Sequence, residues 1–140
     1  MKFYEASADI KANPETVWKV LTDGQGFTEW DSGITKFEGR ITIGETIKLF
    51  TEVSPGRAFP VKVAELVPNE RMKWTGGMPL GLFKGQRTFT LSAASEGVTK
   101  LTTREEFSGV MLPLMWNMMP DLQPSFDKFV KGVKTKAESS

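Results

Sequence analysis

Glu105 and Arg87 are the residues of this chain best placed to do chemistry. Glu105 alternates with Leu101, Thr103 and Phe107, so in a strand it shares their face. The intervening Thr102, Arg104 and Glu106 make the opposite, polar face, which turns Glu105 toward the core. A carboxylate among apolar groups must be paired or protonated. There it would serve as a general base, as the anchor for a ligand hydroxyl, or as half of a structural ion pair. Arg87 alternates in the same way with Phe89 and Leu91. If the turn at 93–97 sets Leu91 opposite Thr99, Arg87 faces Thr103 and Gly85 faces Glu105. Arg87 and Glu105 are then diagonal neighbours, roughly 7–8 Å apart along the backbone and within reach of each other. Such a pair makes one polar end in an apolar pocket, the arrangement that orients ligands.

The other residue types narrow the chemistry further. The 140 residues include no histidine and no cysteine. Disulfides, thiolate nucleophiles and thiolate-bound metals are excluded, and the commonest metal ligand and general base is missing. Acid–base work would fall to Asp, Glu, Lys, Arg, Tyr4, Ser or Thr, with no metal and no cofactor expected. Eighteen basic residues face 17 acidic ones, a formal charge of +1, so net charge draws the chain to neither nucleic acid nor an anionic membrane. The N-terminus lacks the apolar run of a signal peptide. No stretch approaches the ~20 apolar residues of a spanning helix, so membrane insertion is not expected and the cytoplasm is the default compartment.

Apolar candidates surround the polar pair. Trp30, Met72, Trp74, Phe89, Phe107, Met115, Trp116, Met118 and Met119 form an aromatic and methionine inventory, and four of the seven methionines fall between Met111 and Met119. Methionine adapts to irregular apolar shapes, which suits a pliable pocket wall as well as ordinary core. Residues 76–81, Gly-Gly-Met-Pro-Leu-Gly, are no phosphate loop, since no Gly-Lys-Ser/Thr follows and no helix opens there. They read as a pocket lid or as a wide hairpin connection.

The elements that must position these residues follow from periodicity. Residues 2–10 alternate as a strand, with Phe3 or Tyr4, Ala6, Ala8 and Ile10 on the apolar side. Asn13 is a good helix N-cap and Pro14 suits the first helical position. Val17, Val20 and Leu21 follow at helical spacing, and Asp23-Gly24 ends the helix. From Gly33 the period becomes two, with runs at 34–41, 45–51, 59–64, 71–75, 85–91 and 101–107 separated by short turns. That is an antiparallel meander with one buried face. After Gly109 the period returns to helical. Leu122, Phe126, Phe129, Val130 and Val133 form one apolar stripe, on a helix running from about Asp121 to about Lys136 or a longer one kinked at Pro120 and Pro124.

That order, with its local words, resembles the START/polyketide-cyclase-like (SRPBCC) superfamily over essentially the whole chain, 1–140, read as a single domain. The matching words are residues 8–18, Ala-Asp-Ile-Lys-Ala-Asn-Pro-Glu-Thr-Val-Trp; residues 27–31, Phe-Thr-Glu-Trp-Asp; Ile43-Gly44; Met72-Lys73-Trp74; Phe89-Thr90-Leu91; and residues 105–109, Glu-Glu-Phe-Ser-Gly. The resemblance implies an α+β helix-grip fold: a curved antiparallel sheet wrapped around a long C-terminal helix, with a cavity between them. In that superfamily the cavity holds lipids, sterols, polyketides or plant hormones, and some members catalyse cyclisation or dehydration.

The leading expectation is a binder of a small hydrophobic, lipid- or polyketide-like molecule. Its enclosed cavity of roughly 300–1,000 Å³ would lie between sheet and C-terminal helix, lined by Trp30, Met72, Trp74, Arg87, Phe89, Thr103, Glu105, Phe107, Met115 and Met119. Two alternatives stand beside it: a cofactor-free cyclase or aromatase using Glu105 as acid and base, and a protein-interaction module of the heat-shock-protein activator type. Enzymatic activity and pairing into a homodimer are left open at this stage.

Overall fold

The computed structural model describes residues 2–139. Strand β1 (Lys2–Ile10) leads to helix α1 (Pro14–Thr22) and a short 3-10 segment at Gln25–Glu29. Six strands follow: β2 (Ile34–Glu38), β3 (Thr46–Thr51), β4 (Ala58–Val67), β5 (Arg71–Gly77), β6 (Lys84–Ser95) and β7 (Val98–Ser108). A short helix α2 (Leu112–Met118) and the long helix α3 (Gln123–Glu138) complete the chain.

All pairings are antiparallel, and the sheet order is β1-β7-β6-β5-β4-β3-β2. Consecutive strands neighbour each other, as short turns require; β1 alone crosses over, to lie beside β7. Register shifts at Ile34/Lys36, Val63/Glu65 and Ala93/Ser95 are bulges, which bend and twist strands. The curled sheet grips α3, whose buried face carries Phe126, Phe129, Val130, Val133 and Ala137, with Leu122 half-buried at its start. This is the helix-grip architecture expected from the sequence.

Local chemistry explains the element ends. Asn13 Oδ1 accepts from the Thr16 amide at 2.9 Å, and Pro14 opens α1, whose Val17, Val20 and Leu21 are buried. The C-terminal region is two helices rather than one: α2 ends at Met118, and Met119 to Leu122 separate it from α3. Pro120 accounts for the break, because it biases the residue before it away from helix and Met119 is extended (φ −82°, ψ 144°), whereas Pro124 sits in the first turn of α3, where its missing donor costs nothing.

The β6–β7 register differs from the sequence expectation. Leu91 pairs with Leu101, not Thr99, because β6 runs on through Ser95 and the turn tightens onto Glu96-Gly97, with Gly97 at φ 72°. The difference is two residues. A shift of two preserves which side chains face inward, but it moves Arg87 from a diagonal position to one directly opposite Glu105.

Candidate functional site

One row crosses four strands of the concave face. Tyr4 opposes Glu105, Glu105 opposes Arg87, and Arg87 opposes Trp74. Directly opposed residues share a face, so a phenol, a carboxyl, a guanidinium and an indole lie side by side. The next row toward the core is Ala6, Thr103, Phe89 and Met72; the row on the other side is Phe107, Gly85 and Gly76. Gly85 has a steric reason to be glycine. A Cβ there would lie 2.7 Å from Glu105 Oε2, so the missing side chain leaves the space the carboxylate occupies.

Arg87 is held by packing. Its Nε donates to Thr103 Oγ1 at 3.0 Å. Its guanidinium lies 4.3 Å from the ring centre of Phe126, 4.9 Å from Phe89 and 5.1 Å from Phe129, a cation–π cage from β6 and α3. Burial pulls its pKa down to about 10, with Glu105 opposing that shift, so Arg87 is charged at neutral pH. Burial likewise pushes the Glu105 carboxyl above the usual carboxylate range, and Arg87 acts against it.

Although directly opposed, the two do not close on each other: among the described residues they form no ion pair within 4.0 Å. Both side chains stay partly exposed and neither is sealed from solvent. The Nε proton of Arg87 is used by Thr103, whereas no acceptor among the described residues reaches its two terminal nitrogens. Glu105 receives no hydrogen bond among them either. Trp74 Nε1 is buried without a partner.

Aromatic rings wall this row. Tyr4 stacks on Trp116 of α2 at 5.1 Å and meets Phe126 at 5.7 Å and Phe107 at 6.0 Å. Phe107 also meets Trp116 at 5.7 Å and Phe83 at 5.9 Å. Helix α2 is lightly held, with a link from the Met111 amide to the Leu82 carbonyl at 2.9 Å.

The sequence-derived residues divide accordingly. Met72, Trp74, Arg87, Phe89, Thr103, Glu105 and Phe107 come together on the concave face. Met115 and Met119 lie half-buried on α2 and at its C-terminal end, beside the aromatic wall made by Trp116. Trp30 stands apart. It packs edge-on against Phe27 and Phe129 and lines an open groove of about 570 Å³ along α3 with Asp31, Lys128 and Gly132. Phe129 separates it from Arg87.

The expected enclosed cavity is reduced by packing. Phe89, Met72 and Thr103 are fully buried, and Trp74, Phe126 and Phe129 nearly so, so large rings fill the space beneath α3. A second open recess of about 370 Å³ lies at the β5–β6 end, lined by Thr75, Gly76, Gly77, Met78, Gly81 and Lys84. The 76–81 segment is part strand and part 3-10 turn, with Leu80 fully exposed.

Sequence reasoning placed Phe126 and Phe129 only in the core stripe, and Tyr4 as an option for the strand's apolar side and among the residue types able to do acid–base work. Their spacing pointed to the right face; that they cage Arg87 and wall Glu105 depends on how α3 crosses the sheet.

A curled antiparallel sheet around a C-terminal helix is the helix-grip architecture, the fold of the START/polyketide-cyclase-like superfamily. The sequence model of the family described as polyketide cyclase / dehydrase and lipid transport matches residues 2–138, and the chain belongs to that family. No curated protein matches it by sequence. Among solved structures, the Aha1 dimer from Colwellia psychrerythraea aligns at TM-score 0.74 and 22% identity, covering 99% of this chain and 97% of that one. The Zhui aromatase/cyclase from Streptomyces sp. R1128 aligns at 0.73 and 15%, covering 98% and 93%. A Mesorhizobium loti protein aligns at 0.75 and 14%, covering 99% and 98%. At these identities the likenesses establish the fold.

Proposed function

We propose that this protein binds a small hydrophobic molecule on the concave face of its sheet, beneath α2 and α3, with Arg87 and Glu105 as the polar end of the site. The observation that carries this reading is the pair itself. Its terminal groups face each other across two strands, lack protein hydrogen-bond partners and remain open to solvent, inside walls made of Tyr4, Phe107, Trp116 and Phe126. Two ionisable groups that face each other without closing into an ion pair add little to stability, and well-packed apolar residues of similar size would be at least as stable. A ligand that satisfies them gives them a use. The packed interior means that the ligand's apolar part displaces protein, and the lightly held α2, with Trp116 over Tyr4, is the element suited to move.

One observation favours a second reading, an interaction module. Rings fill the interior, while Met78, Leu80, Val110, Leu114 and Met118 are exposed on segments joined by the Met111–Leu82 hydrogen bond. The Aha1 neighbour is a dimer, and a second copy of this chain is one partner such a surface would accept. That reading gives the Arg87–Glu105 pair no role, so ligand binding is preferred. Cyclase chemistry with Glu105 as acid and base would use the same site.

Native mass spectrometry of the purified protein, followed by extraction and identification of bound lipids, tests the reading. An apolar adduct of a few hundred daltons, lost on Trp116→Ala, is the expected result. A protein that arrives empty and takes up neither a long-chain alcohol nor a long-chain acid would overturn it.

A further inference from the structure

Arg87 and Glu105 also indicate what kind of molecule the site takes. The inference rests on the ligand-binding reading and specifies the ligand's head. Thr103 occupies the Nε proton of Arg87, and three phenylalanine rings surround the guanidinium. The two terminal nitrogens, whose end edge presents two parallel N–H groups, have no acceptor among the described residues and are not sealed from solvent. A planar fork of donors is matched by a planar pair of oxygens, the geometry of a carboxylate. A hydroxyl or a lone ketone would satisfy only part of it. The apolar walls fit a chain or ring system attached to that carboxylate.

Glu105 is the obstacle to this match. It sits directly opposite Arg87, and a second carboxylate brought to the guanidinium would lie beside it. Two carboxylates sharing a site do not both stay ionised. Among the described residues, the titratable groups opposite Glu105 in the sheet are Arg87 from β6 and Tyr4 from β1, with Lys2 farther along β1, over the Trp116 ring. Helices α2 and α3 bring Trp116, Phe126 and Phe129 to this region. Arg87 is the group whose charge acts on Glu105. Once a ligand neutralises Arg87, Glu105 loses the charge that favours its ionised form.

We propose that the ligand is an amphiphilic carboxylic acid, that its carboxylate is held by the terminal nitrogens of Arg87, and that Glu105 takes up one proton from solvent as it binds. The protonated Glu105 then donates a hydrogen bond to the bound carboxylate. Repulsion becomes a charge-assisted contact, and affinity for the acid is tied to pH. As pH rises, the proton that Glu105 must acquire grows scarcer and binding weakens.

Dodecanoate and dodecanol serve as matched probes, titrated calorimetrically at mildly alkaline pH in two buffers of different ionisation enthalpy. The acid is expected to bind roughly tenfold or more tightly than the alcohol, the scale of hydrogen bonds to a charged group. Its apparent enthalpy should depend on the buffer, reporting proton uptake, while that of the alcohol should not. Glu105→Gln should keep the preference for the acid and abolish the buffer dependence. Arg87→Met should erase the preference. Should that variant not fold, Arg87→Lys, which keeps the charge but not the fork, should reduce the preference severalfold. Equal or tighter binding of the alcohol overturns this inference and leaves the ligand-binding reading standing. Binding of the acid without proton uptake also overturns it. Failure of both probes overturns the inference together with the reading beneath it.

Discussion

A carboxyl that burial pushes up holds its proton longer in the folded chain than in the unfolded one, and this sets the pH behaviour of Glu105. The folded state binds the extra proton. The stability this contributes is fully present below the ordinary carboxylate range and is lost as pH rises through the raised value, above which the loss is complete. Glu105→Gln removes the titration. The variant's melting temperature, compared with that of the native chain, should therefore gain as pH rises from the acidic side through this window and then level off. A difference flat with pH, or one that shrinks, would mean Glu105 is not held in this way. Arg87, pulled down to about 10, works in the opposite direction, but its window lies between there and its ordinary value, well above neutral pH. At and below neutral pH Arg87 stays charged, so the pH response of the pair there is that of Glu105.

At the scale of elements, α3 is seated by close approach as well as by its apolar stripe. Gly132 lies on its buried face, where an added Cβ would fall 2.5 Å from the Trp30 ring and 2.6 Å from the Asp31 carbonyl oxygen. Helix propensity alone favours alanine over glycine by about 1 kcal/mol. Here packing should win, because the carbonyl is backbone and cannot turn aside as a side-chain tip can. Gly132→Ala is expected to destabilise the protein by about 1–3 kcal/mol, the usual cost of overpacking, read from urea denaturation. A stabilised variant would show that α3 and the segment at Trp30 can separate freely. Helix α2 contrasts with this. It has no side-chain N-cap and no fully buried residue, which suits an element that moves when a ligand enters.

For the whole molecule, Phe129 is the residue through which the parts meet. Its ring contacts Phe27, Trp30 and Phe89 and lies under Arg87, so it joins the 3-10 segment, the sheet and α3. Phe129→Ala should cost about 3–5 kcal/mol, a large share of the 5–15 kcal/mol or so that holds a typical domain. It should also loosen the Arg87 cage. Chemical denaturation gives the first effect; a lost preference of the variant for dodecanoate over dodecanol gives the second. A mild loss of stability would mean that the interior re-closes around the gap.

The order of the strands and of the first and last helices, the inward face of each strand and the residues of the polar pair were legible in the sequence, while α2 as a separate helix was not. Alternation and the helical stripe are local properties, and a face survives any register error of two residues. That is why Glu105 and Arg87 were legible although Leu91 was paired with the wrong partner. Tertiary structure decided what periodicity does not encode. The length of the turn at Glu96-Gly97 brought Arg87 directly opposite Glu105. The crossing of α3 put Phe126 and Phe129 over the guanidinium and left Trp30 on the far side of Phe129. Whether the space beneath α3 is hollow or filled depends on ring orientations summed over several elements. A volume is a property of all its walls at once, and no single stretch of sequence carries it.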